Sequence, residues 1–171
     1  MRRATVLLAA LALLLVTAAP ASANNDPHRF YSGAGPFDFV GQCTFTVHFE
    51  PLTDKEYESV RTAPDGSMTA AVTGAMKVRL TNATTGKALD YNVSGPSVAY
   101  ISPDGDTITG VARGQSLIYG WNLPAWGFPS NLILTSGLFS DTVQVQTDGT
   151  VLVTDVAHYP AHVTDVCAAL S

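Results

Sequence analysis

From Phe37 to Phe49 apolar and polar residues change places at almost every step. Phe37, Phe39, Cys43, Phe45, Val47 and Phe49 hold odd positions, while Asp38, Gln42, Thr44, Thr46, His48 and Glu50 hold even ones. Side chains on a strand point alternately to opposite faces, so the pattern predicts a long strand with one buried and one wetted face. Gly41 falls in the apolar parity with no side chain to pack, which marks a bulge or sharp bend there. The alternation returns at Met76, Val78 and Leu80, at Leu89, Tyr91 and Val93, and at Val143 and Val145. No 3.6-residue apolar stripe competes with it after residue 23, which argues against a helical fold.

Turn chemistry separates these runs. Pro64-Asp65-Gly66, Ala83-Thr84-Thr85-Gly86, Gly95-Pro96, Pro103-Asp104-Gly105 and Asp148-Gly149 each supply a residue that tolerates positive φ or fixes φ near a turn value. The spacing predicts an all-β, antiparallel meander of about eight to ten strands. A weak repeat supports it: Asp65-Gly66, Gly74 and Asn82 are echoed by Asp104-Gly105, Gly114 and Asn122. Three Asp-Gly units are too few to close a propeller, and reuse of one hairpin device explains them.

Cys43 and Cys167 are the only cysteines, and in an exported chain two thiols usually pair. Pairing needs Cα atoms about 5.5–6 Å apart, so the first and last strands are expected to be neighbours. A single meander closed as a β-barrel meets that requirement and removes sheet edges. A β-sandwich bridged between its sheets is the alternative.

Residues 1–23 carry a basic start at Arg2 and Arg3, a Leu/Ala-rich run from Val6 to Val16, and the small-x-small site Ala21-Ser22-Ala23. These are the parts of a cleaved secretory signal, and the apolar run is short for a transmembrane segment. The expected divisions are therefore a signal at 1–23, a flexible arm at 24–35 and one β domain at 36–171. Removal of the two signal arginines leaves seven Lys and Arg against 14 Asp and Glu, a formal charge of −7. Such a balance argues against nucleic acid as a partner, while the signal points to an extracellular location and no second apolar stretch is long enough for a membrane span.

Candidate functional residues are few. The loop from Gly120 to Pro129 sets Trp121, Trp126 and Phe128 among prolines and glycines. These rings can form an aromatic platform for a small-molecule or cell-envelope ligand, or a hydrophobic cap over the end of the barrel. Asp155, His158, His162 and Asp165 form the one His/carboxylate cluster, weakly suited to a metal or to acid/base work because Pro160 divides the histidines and no metal-binding template surrounds them. Asp104-Gly105-Asp106 reads as a hairpin turn and lacks the spaced ligands of a calcium loop. Glu50, Asp54, Glu56 and Glu58 are expected on a wet face. Asn82-Ala83-Thr84 and Asn92-Val93-Ser94 match glycosylation acceptors. No nucleophile elbow, phosphate-binding loop or dinucleotide fingerprint is present, and no cofactor is expected.

Val78-Arg-Leu-Thr-Asn82, Thr85-Gly-Lys87, Asn92-Val-Ser-Gly-Pro96, Gly114-Gln-Ser-Leu-Ile118 and Thr164-Asp-Val-Cys-Ala-Ala-Leu170 together resemble a family of small secreted actinobacterial β-rich proteins of uncharacterised function. The resemblance implies one secreted β domain over residues 36–170 and transfers no catalytic residue. The leading expectation is a secreted, non-enzymatic β-barrel-like protein that binds a small ligand or partner through the aromatic loop. Two others stand beside it: a barrel isomerase or hydrolase using the Asp/His cluster, and an envelope-associated structural protein without a ligand.

Overall fold

Residues 28–171 are described by the computed structural model. The expected signal, residues 1–23, and the first residues of the expected arm lie outside the described residues. In chain order the elements are β1 (His28–Tyr31), β2 (Phe37–Phe39), β3 (Val47–Asp54), β4 (Tyr57–Thr62), β5 (Met68–Thr73), β6 (Met76–Asn82) and β7 (Ala88–Asn92). They continue with β8 (Ser97–Ile101), β9 (Thr107–Tyr119), β10 (Leu132–Val145), β11 (Val151–His158), β12 (His162–Asp165) and the short helix α1 (Val166–Leu170).

Two antiparallel sheets result. The larger runs β1-β4-β5-β8-β9-β10-β11, with β12 pairing β10 beside β11, and the smaller runs β2-β3-β6-β7. Hence the all-β expectation holds, but the closed barrel does not: β1 and β11 are separate edges of an open sheet. The arrangement is sandwich-like. Nor is the chain a simple meander, because it changes sheet between β1 and β2, between β3 and β4, between β5 and β6, and between β7 and β8.

Glycine makes two of these corners possible, between β5 and β6 and between β7 and β8, as in packings whose strands bend from one sheet into the other. At Gly74 a Cβ would stand 2.2 Å from the Lys55 carbonyl oxygen. At Gly95 it would stand 2.3 Å from the carbonyl oxygen of Arg113 and 2.5 Å from that of Gln115. The Gly95 N–H donates to Gln115 O at 2.8 Å, so the corner is bonded directly to β9.

The long strand expected over 37–49 is also cut. Residues 40–46 are irregular and β2 folds back on β3, pairing Phe37 with Phe49 and Phe39 with Val47. Odd residues still share one face, with the Phe37 and Phe49 rings stacked at 4.5 Å. Within the expected arm, β1 pairs antiparallel with β4, and the Ala34 N–H donates to the Asp54 carboxylate at 2.8 Å.

Each Asp-Gly pair closes a hairpin. Asp65, Asp104 and Asp148 accept hydrogen bonds from the N–H groups of Ser67, Asp106 and Thr150. Backbone bonds from Ala63 to Ser67, Ser102 to Thr107 and Gln146 to Thr150 complete the turns. The side chain of the Asp satisfies an N–H inside the turn, a local bond that needs no tertiary partner.

The hairpin β9–β10 is the spine, because its Tyr119 to Leu117 and Leu132 to Leu134 end is covered on both faces. Leu132 and Leu134, with Leu117 and Tyr119, face the small sheet and α1, where Val47, Val78, Leu80, Val166 and Leu170 are fully buried. Ile133 faces the other way, onto Leu123, Phe128, Phe139, Val153 and Val156. Each such side chain stabilises the fold by about 1.5–3 kcal/mol relative to exposure.

Cys43 and Cys167 are bonded, with Cα atoms 5.4 Å apart and a sequence separation of 124. The pairing is the expected one, but the elements that carry it are not the first and last strands. Cys43 lies in the irregular segment 40–46 and Cys167 in α1, so the bridge ties a loop to a helix and leaves the terminal strands unlinked.

Candidate functional site

The aromatic loop is fastened to the scaffold residue by residue. Leaving β9, the chain bonds Trp121 N–H to Val151 O at 3.2 Å. Asn122 then adopts φ 69°, and among the described residues it is the one non-glycine with positive φ. Its carboxamide meets the edge of β11: Nδ2 donates to Val153 O and Oδ1 accepts from Val153 N, both at 3.0 Å. Trp126 Nε1 donates to the same Val153 carbonyl at 3.1 Å. Between them Leu123–Trp126 forms a single 3-10 turn with Pro124 in its first positions, where its missing N–H costs nothing.

The three expected aromatic residues therefore divide. Phe128 is 5% exposed, with its ring edge-on to Phe139 at 5.8 Å and stacked on Tyr159 at 5.5 Å. With the fully buried Leu123 it plugs the face of the large sheet. Trp126 is half-buried by its bond to β11. Trp121 keeps 38% exposure, and its six-membered ring lies over Gly41, where a Cβ would meet Cη2 at 2.5 Å.

A groove of about 470 Å³ opens beside that contact, between residues 41–45, the end of the aromatic loop and the C-terminal helix. Pro124 and Pro129 give it apolar walls, and Gln42, Asn131 and Asp165 give it polar ones. Asp165 caps α1 by accepting from Ala168 N at 3.1 Å. Among the described residues three buried side-chain polar atoms find no hydrogen-bonding partner: Gln42 Oε1, Asn131 Oδ1 and Ser116 Oγ. Two of the three belong to this groove. An orphaned buried acceptor costs about 1–3 kcal/mol; these two oxygens are shut off from solvent, so a ligand in the groove pairs with them only when the amides turn outward. Neither amide has a sequence signal, since Gln42 reads as the polar phase of a strand and Asn131 as a loop residue.

The Asp/His cluster is not assembled. Asp155 stands opposite Thr142, His158 opposite Ser140, His162 opposite Ser136 and Asp165 opposite Ile133, all along one edge of β10. At about 3.3 Å per residue the outermost pair is separated by roughly 30 Å. Among the described residues no group of three or more His, Cys, Asp or Glu could hold a metal ion.

The sequence-based reading of the acids needs a correction. Glu58, expected on a wet face, is 4% exposed because β4 turns it into the same row as Phe30 and Val72 on the neighbouring strands. Burial raises its carboxyl above the usual range. Burial, then the Asp54 charge, pushes Glu56 up to about 7, and burial pushes Asp141 up to about 6. Asp141 lies in the parity of Phe139 and Val143 and covers Gly110, whose added Cβ would stand 2.8 Å from its Oδ1. That parity was a sequence signal for a buried acid.

Of the two glycosylation acceptors, Asn82 is 2% exposed and donates to Leu170 O at 3.1 Å. Asn92 is exposed on β7, at the edge of the small sheet. The chain matches no protein-family model, and no curated protein or solved structure is significantly similar to it.

Proposed function

We propose that this is a secreted, non-enzymatic β domain that binds a small ligand or partner at the end of the sandwich marked by Trp121 and the adjoining groove. The observation that carries the reading is Trp121 itself, more than a third exposed while its backbone is bonded to β11 and its ring rests on Gly41. An indole held in this way offers a large contact area with little conformational entropy left to lose on binding. The signal-like segment 1–23 and the Cys43–Cys167 bridge support an exported protein, and no described helix is long and apolar enough to cross a membrane. The actinobacterial resemblance belongs to the same proposal.

Tryptophan emission tests it. Wild type and Trp126→Phe should show a shift or quenching on titration with a ligand from a panel of glycans, lipids and cell-wall fragments, and Trp121→Phe should not. A panel that leaves Trp121 emission unchanged in a folded protein would remove the basis for binding at this end.

A further inference from the structure

We infer that the groove recognises a neutral, hydroxyl-rich glycan unit, held through the carboxamides of Gln42 and Asn131. This rests on the binding site proposed above and adds the chemical class of its occupant. Both amide oxygens are buried without a donor, while the residues that carry them are partly exposed and line the groove, so a turn about the terminal side-chain torsion is what brings each oxygen to a ligand. A carboxamide carries an acceptor and two donors, which matches a sugar hydroxyl able to do both. Pro124 and Pro129 line the groove with apolar surface for the C–H face of a sugar ring, and the indole of Trp121 lies next to it over Gly41.

Competing ligand classes fit less well. An acyl chain would cover the two amides and still leave them unpaired, and such mismatched polar groups are what binding sites discriminate against most strongly. An anion would meet the Asp165 carboxylate in a chain of formal charge −5, or −7 without residues 1–23. The volume, about 470 Å³, lies in the range of roughly 300–1,000 Å³ typical of small-ligand sites.

The test is calorimetric titration of the purified secreted protein with neutral oligosaccharides of N-acetylglucosamine, glucose and mannose, and with dodecanoate. Gln42→Leu and Asn131→Leu are compared with wild type. At least one oligosaccharide should bind wild type and lose tenfold or more in affinity in each variant. Melting temperatures should stay level or rise, because the substitutions remove unpaired buried acceptors. Binding of dodecanoate alone, with Trp121 emission responding, would overturn the glycan class while the binding site stands. Oligosaccharide binding unchanged in both folded variants would overturn the role of the amides. No binding by any probe, with Trp121 silent, would overturn this inference and the proposed site together.

Discussion

The side chain of Asn122 serves Val153 as a neighbouring strand would. Its Oδ1 accepts the Val153 N–H and its Nδ2 donates to the Val153 carbonyl, each at 3.0 Å. One carboxamide thus satisfies both backbone groups of an edge residue, and it anchors the turn that carries Leu123 into the core and leaves Trp121 at the rim. The positive φ at Asn122 is what aims the amide at β11.

Asn122→Ala loses both bonds and places a Cβ-bearing residue without side-chain hydrogen bonding in the left-handed region. We expect a loss of about 2–4 kcal/mol, combining the unpaired backbone groups with the conformational cost. Asn122→Gly loses the bonds but tolerates the φ, so it should be milder by about 1 kcal/mol. Urea unfolding of both variants checks the order. Equal stability of all three proteins would show that the amide is not an anchor.

Gly95→Ala should be far more damaging than Gly35→Ala. The first puts a methyl within 2.5 Å of two backbone oxygens of β9, whereas the second meets nothing within 4 Å. Backbone cannot step aside as a flexible side chain can, so a loss of about 3 kcal/mol or more is expected at Gly95 and near zero at Gly35. Thermal denaturation distinguishes the two, and a stable Gly95→Ala would show that the corner is not close-packed.

The Cys43–Cys167 bridge closes a loop of 124 residues. In the chain-entropy model its removal costs about 4–5 kcal/mol, less where the denatured chain keeps structure. Cys43→Ser with Cys167→Ser should lower stability strongly and keep the β-type far-ultraviolet spectrum, since the bridge joins a loop to a helix and lies outside every strand ladder. Peptide mass spectrometry without reduction should recover the two cysteines in one linked species.

Stability should fall as pH rises from about 4 to 7. Asp141 has its folded pKa raised to about 6 by burial, so the folded state prefers the neutral acid. Its contribution is complete below the unfolded value near 3.9 and is lost as pH climbs through 6. Two units correspond to about 3 kcal/mol, which Asp141→Asn should largely flatten. Glu56, raised to about 7, extends the decline toward neutrality. Asp65, Asp104 and Asp148 act in the opposite sense. Hydrogen bonds lower their pKa values, so their contribution is present above about 4 and disappears as the pH falls further. Denaturant midpoints between pH 3 and 8 should therefore peak near pH 4–5, and a wild-type profile still rising toward pH 7 would contradict the burial of Asp141.

Local chemistry was legible in the residues themselves. Phe37, Phe39, Val47 and Phe49 share a face because side-chain alternation is a property of any extended backbone. Asp65-Gly66, Asp104-Gly105 and Asp148-Gly149 close hairpins because the bond from the Asp to an N–H two residues on needs nothing beyond the turn. The pairing of Cys43 with Cys167 followed from there being no other thiol. Tertiary structure alone decided that β2 folds back on β3, that Gly74 and Gly95 bend the strands from one sheet into the other, and that an open sandwich forms where a closed barrel was expected. Those outcomes depend on how closely one backbone approaches another, a distance that alternation does not encode. The same holds at the rim: Asn131 and Gln42, 89 positions apart and each an ordinary polar residue, become one groove only because the spine, the loop and α1 bring them there.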